Sequence, residues 1–419
     1  MTTRFVSMAY MKDFQCIGSD CEATCCQGWQ VPVRNDDYPA LKGACNKYPE
    51  LAKNLDDALV PPSEEWSEHR LKTDASGRCT FLDPAGLCRV QALAGKKALP
   101  SICATYPRSI SRIGARTEIS AHPSCPEIAR KLLLEPNSAQ RLAAGAKDLV
   151  RPVAHQHIPD PLAHPYTRHM DELRDIAFHY LEMPLPLSHK LYLLAEVAKL
   201  AAPVLTPDAT TDVQSELERV LAPMLEEKNL IASSQHLTRL NWNAEEGFSI
   251  LLQLLQIRSE SSVGSKSHKV NQLVEELEQA NNIDLTDVET AAKVLFPLHQ
   301  QRSARLHELA GERLEQYGTR FAINYWFSNL YTSSPSLLAH TRRLLLVHGI
   351  QRLMLVNHPT IIKSLESGNY FFQTEMDRLA VQIVYNVSRA LEHSKILGTL
   401  DEALDNPHTF PLLQKLAFI

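Results

Sequence analysis

Nine cysteines (Cys16, Cys21, Cys25, Cys26, Cys45, Cys79, Cys88, Cys103 and Cys125) fall in the first 125 of 419 residues, and the remaining 294 residues contain none. Random scatter would crowd them this way with a probability on the order of 10⁻⁵, so the segment is a specialised module. Thiolates are nucleophiles, redox centres and soft metal ligands. A disulfide scaffold suits a small secreted chain; this one is long, has an odd cysteine count and shows no apolar leader over Met1 to Phe14. Inert core thiols would be neither confined to one segment nor set as an adjacent pair. A metal or iron–sulfur site is the better account.

The spacing is Cys16-x4-Cys21-x3-Cys25-Cys26, then Cys79-x8-Cys88, Cys103 and Cys125. The two short C-x2-C knuckles of a zinc ribbon are absent. Cys21-x3-Cys25 begins the C-x3-C-x2-C loop of radical enzymes that cleave S-adenosylmethionine, but its third place is Gly28. A [4Fe-4S] cluster tolerates irregular spacing better than one zinc ion does, yet spacing alone leaves both open. Adjacent residues in extended backbone point to opposite sides, which predicts different roles for Cys25 and Cys26. Seven of the 15 glycines lie in this segment, and Gly18, Gly28, Gly77, Gly86, Gly95 and Gly114 among them suit tight turns around sulfur. Trp29, Phe81 and Tyr106 stand near cysteines, as a hydrophobic shield or as plain core.

The strings from Phe14 to Gly28-Trp29, CTFLDPAGLCRVQALAGKKALPSICATYPR from Cys79 to Arg108, and SCPEI from Ser124 resemble the bacterial flagellin lysine-N-methylase family. The first two are also similar to a broader group of zinc- or iron-chelating domains. Asn324-Tyr325 through Asn329-Leu330, and Ser388-Arg389-x-x-Glu392-His393, are similar to later methylase segments. The family implies a cytoplasmic enzyme that moves methyl groups from S-adenosylmethionine to surface lysines of flagellin, with a [4Fe-4S] cluster taking part and zinc as the alternative metal. By position, Cys16, Cys21, Cys25, Cys26, Cys79, Cys88, Cys103 and Cys125 match its metal-ligand pattern, and Cys45 lies outside it. Eight thiols exceed the four that one cluster needs. Asn324, Asn329 and Arg389 are candidates for holding the methyl donor, and Tyr325, Glu392 and His393 for catalysis.

Chemistry asks for a base. A lysine near pKa 10.4 is an ammonium at pH 7 and has no lone pair to attack a methyl sulfonium, so burial must lower its pKa or a group must take its proton. Arg389, Glu392 and His393 lie three and four apart, so a helix would present all three together. The same spacing serves a helix salt bridge beside an ordinary histidine. In RFAINYWFSNLY (320–331), five aromatics form either core or a wall that stacks adenine or aligns lysine. No G-x-G-x-x-G string cradles a nucleotide.

These groups need a scaffold. Beyond residue 126, apolar residues recur at spacings of three and four over Leu187–Leu205, Trp242–Ile257, Val270–Leu277, Leu337–Leu355 and Leu379–Leu391, predicting core-facing helices. Prolines at 152–165, and Pro184, Pro186, Pro203 and Pro207, mark breaks. The expected fold is mainly α: a cysteine-rich cluster module with irregular loops over 1–130, then a helical bundle over 131–419, subdivided near 260–268. Glycine at 15 of 419 argues against a many-turned β protein.

Composition bounds the partners. No apolar run reaches the roughly 18 residues that span a bilayer, so no membrane insertion is expected. Arg78 to Arg116 holds seven basic residues against Asp83, a field that could meet an acidic ligand or a thiolate-bound metal. A pI of about 6.4 and the lack of a motif speak against nucleic acid. The rival to an enzyme is a non-catalytic zinc- or iron-binding adaptor.

Overall fold

The computed structural model describes residues 4–28, 30–52, 54–64, 66–146, 149, 156–205, 212–240, 242–260, 268–367, 373–392, 396–404 and 409–419. Trp29, Pro152, Pro207, His393 and most of the link at 260–268 lie outside them.

The fold is mainly α-helical, as the apolar periodicity predicts. Four of the five expected stretches lie largely within helices Leu187–Ala201, Glu245–Glu260, Leu337–Val356 and Gln373–Leu391, and the fifth lies in His268–Asn281. Ser336 starts helix Leu337–Val356 by accepting the Ala339 N–H at 3.0 Å, an N-cap that satisfies one of the donors a helix leaves open. Leu344, Leu345, Val347, Ile350 and Leu353 are buried almost to the last atom, so this helix is wrapped on all sides. A 41-residue helix, Val288–Ser328, packs beside it, with Pro297 inside and a kink at Ala310.

The first 158 residues are not only irregular loops. Eight short strands run through the described part: β1 (Arg4–Met8), β2 (Pro32–Val33), β3 (Leu59–Val60), β4 (His69–Leu71), β5 (Arg108–Ile113), β6 (Arg116–Ala121), β7 (Arg141–Ala144) and β8 (Gln156–Ile158). Five form a mixed sheet in the order β7-β1-β6-β5-β8, and three a small sheet in the order β2-β4-β3. β5 and β6 are a hairpin in which Ile113 faces Arg116, and Gly114 at φ +54° opens the two-residue turn. β1 pairs parallel with β6, Val6 opposite Glu118.

Two apolar cores result. The smaller gathers Val31, Val33, Leu41, Leu55, Leu71, Phe81 and Val90. The larger joins Met8, Tyr10, Ile113 and Ala121 of the sheet region to the helices. One polar joint fixes that union. Arg174, 3% exposed, forks onto Glu118 of β6 at 2.8 and 3.1 Å and donates to the carbonyls of Trp326 and Phe327 at 3.3 Å, closing the C-terminal end of the long helix.

Candidate functional site

Local turns place each thiol. Cys21 closes the turn Gly18–Asp20, its N–H bonded to the Gly18 carbonyl at 3.3 Å. Cys25 and Cys26 sit in a turn and not in extended backbone, so the expected split onto opposite sides does not hold. Gly28, at φ +85°, lets the chain leave that turn and meet the 77–79 segment: its N–H reaches the Gly77 carbonyl at 3.0 Å, and Cys79 N–H the Cys26 carbonyl at 2.9 Å. Cys88 and Cys125 stand at the N-caps of helices Arg89–Ala94 and Pro126–Leu134, and Cys103 lies in the short helix Ser101–Thr105. Cys45, 3% exposed in helix Tyr38–Lys47, belongs to the smaller core and stands apart.

Seven of the eight, Cys21, Cys25, Cys26, Cys79, Cys88, Cys103 and Cys125, lie within electrostatic reach of another sulfur, while Cys16 is exposed. Cys26 shares hydrogen bonds with both Cys25 and Cys88. The Cys26 hydrogen bond, followed by backbone N–H groups at the helix start, pulls the Cys88 thiol down to about 6, while Cys26 itself is pushed up. Cys79 and Cys103 lie within electrostatic reach of Cys25 and Cys88; burial raises both, Cys79 to about 11. Cys125, raised by burial to about 12, feels Cys21 and Cys25. Cys16 and Cys125 both act on Arg108. Among the described residues no group of three His, Cys, Asp or Glu side chains is set to hold a single ion. The donor set is all sulfur and mutually hydrogen-bonded, which fits soft thiophilic iron–sulfur or zinc and not a hard cation.

The C-terminal helix closes over these loops. Arg389 donates from Nε to the Ser124 carbonyl at 2.7 Å and from Nη2 to the Ala23 carbonyl at 2.9 Å, so it holds the Cys21–Cys25 loop and the residue before Cys125 at once. Its charge lies within reach of Cys21 and Cys25. Tyr106 and Ser124, hydroxyls 3.1 Å apart, line the same seam. Phe81 is buried, at 1% exposed.

Glu392 follows the last helical residue and accepts from the Ser388 hydroxyl at 3.1 Å. Burial pushes its carboxyl up to about 7. Its charge is felt by Tyr325, whose hydroxyl donates to the His340 carbonyl at 3.1 Å. Asn324 faces the sheet, accepting from Tyr10 at 2.7 Å and reaching the Ala121 carbonyl at 3.4 Å. Asn329 caps the long helix, its N–H on the Tyr325 carbonyl at 3.0 Å. Thus Arg389 joins the thiols, Glu392 joins Tyr325, and Asn324 and Asn329 stand where sheet meets helix. Sequence reasoning did not single out Ser124 or Ser388; the signals were adjacency to Cys125 and a four-residue step before Glu392.

The fold and this seam define a mainly helical protein whose cysteine-rich module is latched by helix Gln373–Leu391. Over 142 residues the chain is 32% identical to the flagellar biosynthetic protein FliU of Salmonella muenchen, covering 33% of this chain and 80% of that protein. Over 133 residues it is 30% identical to the lysine-N-methylases of Salmonella choleraesuis and Salmonella typhimurium, covering 31% of this chain and 32% of each. The match thus spans about a third of the length of those lysine-N-methylases. The chain belongs to the flagellin lysine-N-methylase-like family. No family model matches it, and no solved structure does. Among the described residues, no helix is long and apolar enough to cross a membrane.

Proposed function

We propose that this chain is a cytoplasmic S-adenosylmethionine-dependent N-methyltransferase acting on surface lysines of flagellin. The observation that carries the reading is the end of helix Gln373–Leu391, where Arg389 binds the cysteine loops while Glu392, three residues on, lies beside Tyr325 with its carboxyl at about 7. The names of the relatives, lysine-N-methylase and flagellar biosynthetic protein, supply the acceptor and the methyl group.

A carboxyl near 7 exists half as carboxylate at neutral pH and can take a proton from an arriving ammonium. Glu392 accepts that proton at a carboxylate oxygen, and the Ser388 hydroxyl keeps the group in place. The neutral amine then attacks the methyl carbon in line as the carbon–sulfur bond breaks, leaving the thioether. Tyr325 and His340, ring centroids 4.8 Å apart, form a packed wall beside the base. Cys25, Cys26, Cys79, Cys88 and Cys103 form the pool from which a [4Fe-4S] cluster would take its ligands. With one iron left without a cysteine ligand, such a group would supply a Lewis-acidic corner for an oxygen or nitrogen donor.

The test is on anaerobically purified full chain: iron and zinc content with the visible spectrum, then labelled methyl transfer from S-adenosylmethionine to flagellin. Iron near four per chain with lysine labelling supports the enzyme. Stoichiometric zinc without labelling would leave a metal-binding adaptor.

A further inference from the structure

Most cations facing the module have acceptors. Arg78 donates to the Asp83 carbonyl at 2.8 Å, Arg89 to the carbonyls of Glu50 and Thr80 at 2.7 and 2.9 Å, and Arg116 to Glu118 and Asp171. Arg389 is committed to two carbonyls. Arg108 differs. It opens β5, is half-buried, and its guanidinium lies 5.0 Å from the centre of the Phe14 ring, yet it has no hydrogen-bond or ion-pair acceptor among the described residues. The groups that feel its charge are the sulfurs of Cys16 and Cys125.

We propose that Arg108 is an anion-binding residue that receives the carboxylate of an α-amino acid moiety, namely that of the methyl donor. The inference rests on the methyltransferase reading above. A guanidinium held over a ring is restrained, and its parallel N–H groups match a carboxylate bidentately. Burial away from bulk water penalises a cation without a counter-charge, so a ligand that brings one is favoured. The charge count selects a monoanion. Arg389 already serves two carbonyls through Nε and Nη2. A phosphate dianion would meet one free guanidinium only.

Position supports the same occupant. Arg108 is tied through Cys125 to Ser124, Ser124 through its carbonyl to Arg389, and Glu392 lies three residues beyond. A donor anchored by its carboxylate at Arg108 therefore lies along the seam that ends at the proposed base. The Phe14 ring is itself fixed, at 6% exposed, two residues before Cys16.

The experiment is equilibrium dialysis of labelled S-adenosylmethionine with the anaerobically purified full chain, wild type against R108Q and R108K. 5′-Methylthioadenosine, which lacks the amino acid moiety, serves as the comparison ligand. Loss of the bidentate charged pair is expected to weaken S-adenosylmethionine binding roughly tenfold or more in R108Q, less in R108K, and to leave methylthioadenosine binding unchanged. F14L, which frees the guanidinium without removing it, weakens S-adenosylmethionine binding in the same selective way. Equal affinity of R108Q and wild type for S-adenosylmethionine overturns the inference, even if lysine labelling persists and the methyltransferase reading stands. A parallel loss of both ligands in R108Q and F14L also overturns it, since that marks general damage. If wild type binds no S-adenosylmethionine, the donor assignment falls as well.

Discussion

Arg389 and Ser124, 265 positions apart, are joined by a 2.7 Å hydrogen bond from the guanidinium to a backbone carbonyl, and Ser124 is fully buried. The second bond, to Ala23, makes one side chain the latch between helix Gln373–Leu391 and two cysteine loops. Hydrogen bonds from a charged donor contribute about 1.5 to 3 kcal/mol each, and both are lost if Arg389 is removed. R389Q should lower the urea midpoint and the metal retained per chain, measured by elemental analysis after gel filtration. Unchanged metal content in R389Q would show that the module assembles without its latch.

Glu392 gives a pH signature. Its folded carboxyl, raised from 4.5 to about 7 by burial, holds its proton more tightly than the unfolded chain does. Stability from this group is therefore full below 4.5 and is lost as pH rises through 7, a fall of up to about 3 kcal/mol relative to E392Q. Urea unfolding of wild type and E392Q from pH 4.5 to 8 measures that difference; parallel curves would refute it. Methyl transfer runs the other way, because the carboxylate is the active form. Wild-type rate should climb through pH 7 with one ionisation, and E392Q should lose about a hundredfold at pH 8.

The helices were legible because burial and period coincide. Leu344, Val347 and Ile350 recur at spacings of three, and the structure buries all of them. The sheet was not, because its signal is long-range. Arg4–Met8 is five residues of mixed character whose parallel partner, Arg116–Ala121, lies more than a hundred positions away. For Cys25 and Cys26 the assumed extended backbone was the error: a turn, left through Gly28 at positive φ, sends both sulfurs to the same network. The thiol module itself was readable from residue type and crowding alone. Its dependence on Arg389 was not, since nothing local to that helix announces a carbonyl at position 23 or 124.

The Arg174–Glu118 pair should be a stability determinant. Both side chains are nearly fully buried, at 3% and 6% exposed, and Arg174 also serves two helix-end carbonyls. Removing Arg174 leaves Glu118 with Arg116 as its remaining partner and takes the donor from two helix-end carbonyls, a loss of up to about 3 to 5 kcal/mol. R174M should lower the urea midpoint accordingly, whereas R174M/E118L, which removes both charges, should recover part of the loss. A double variant as unstable as the single one would show that the helix-end bonds, and not the ion pair, carry the effect.

Cys45 and Cys88 separate a packing thiol from a site thiol. Cys45 is 3% exposed within the smaller core, and burial alone raises its thiol, with no other sulfur acting on it. C45A removes one buried sulfur and should cost about 1 kcal/mol, with metal content unchanged. Cys88, half-buried and hydrogen-bonded to Cys26, lies at the centre of the proposed ligand pool. C88S keeps the volume but replaces a soft ligand with a hydroxyl, so stability should change little while bound metal falls sharply. Elemental analysis beside a urea titration distinguishes the two. If C45A and C88S lose metal alike, the module answers to its overall folding rather than to these particular sulfurs, and the ligand pool must be redrawn.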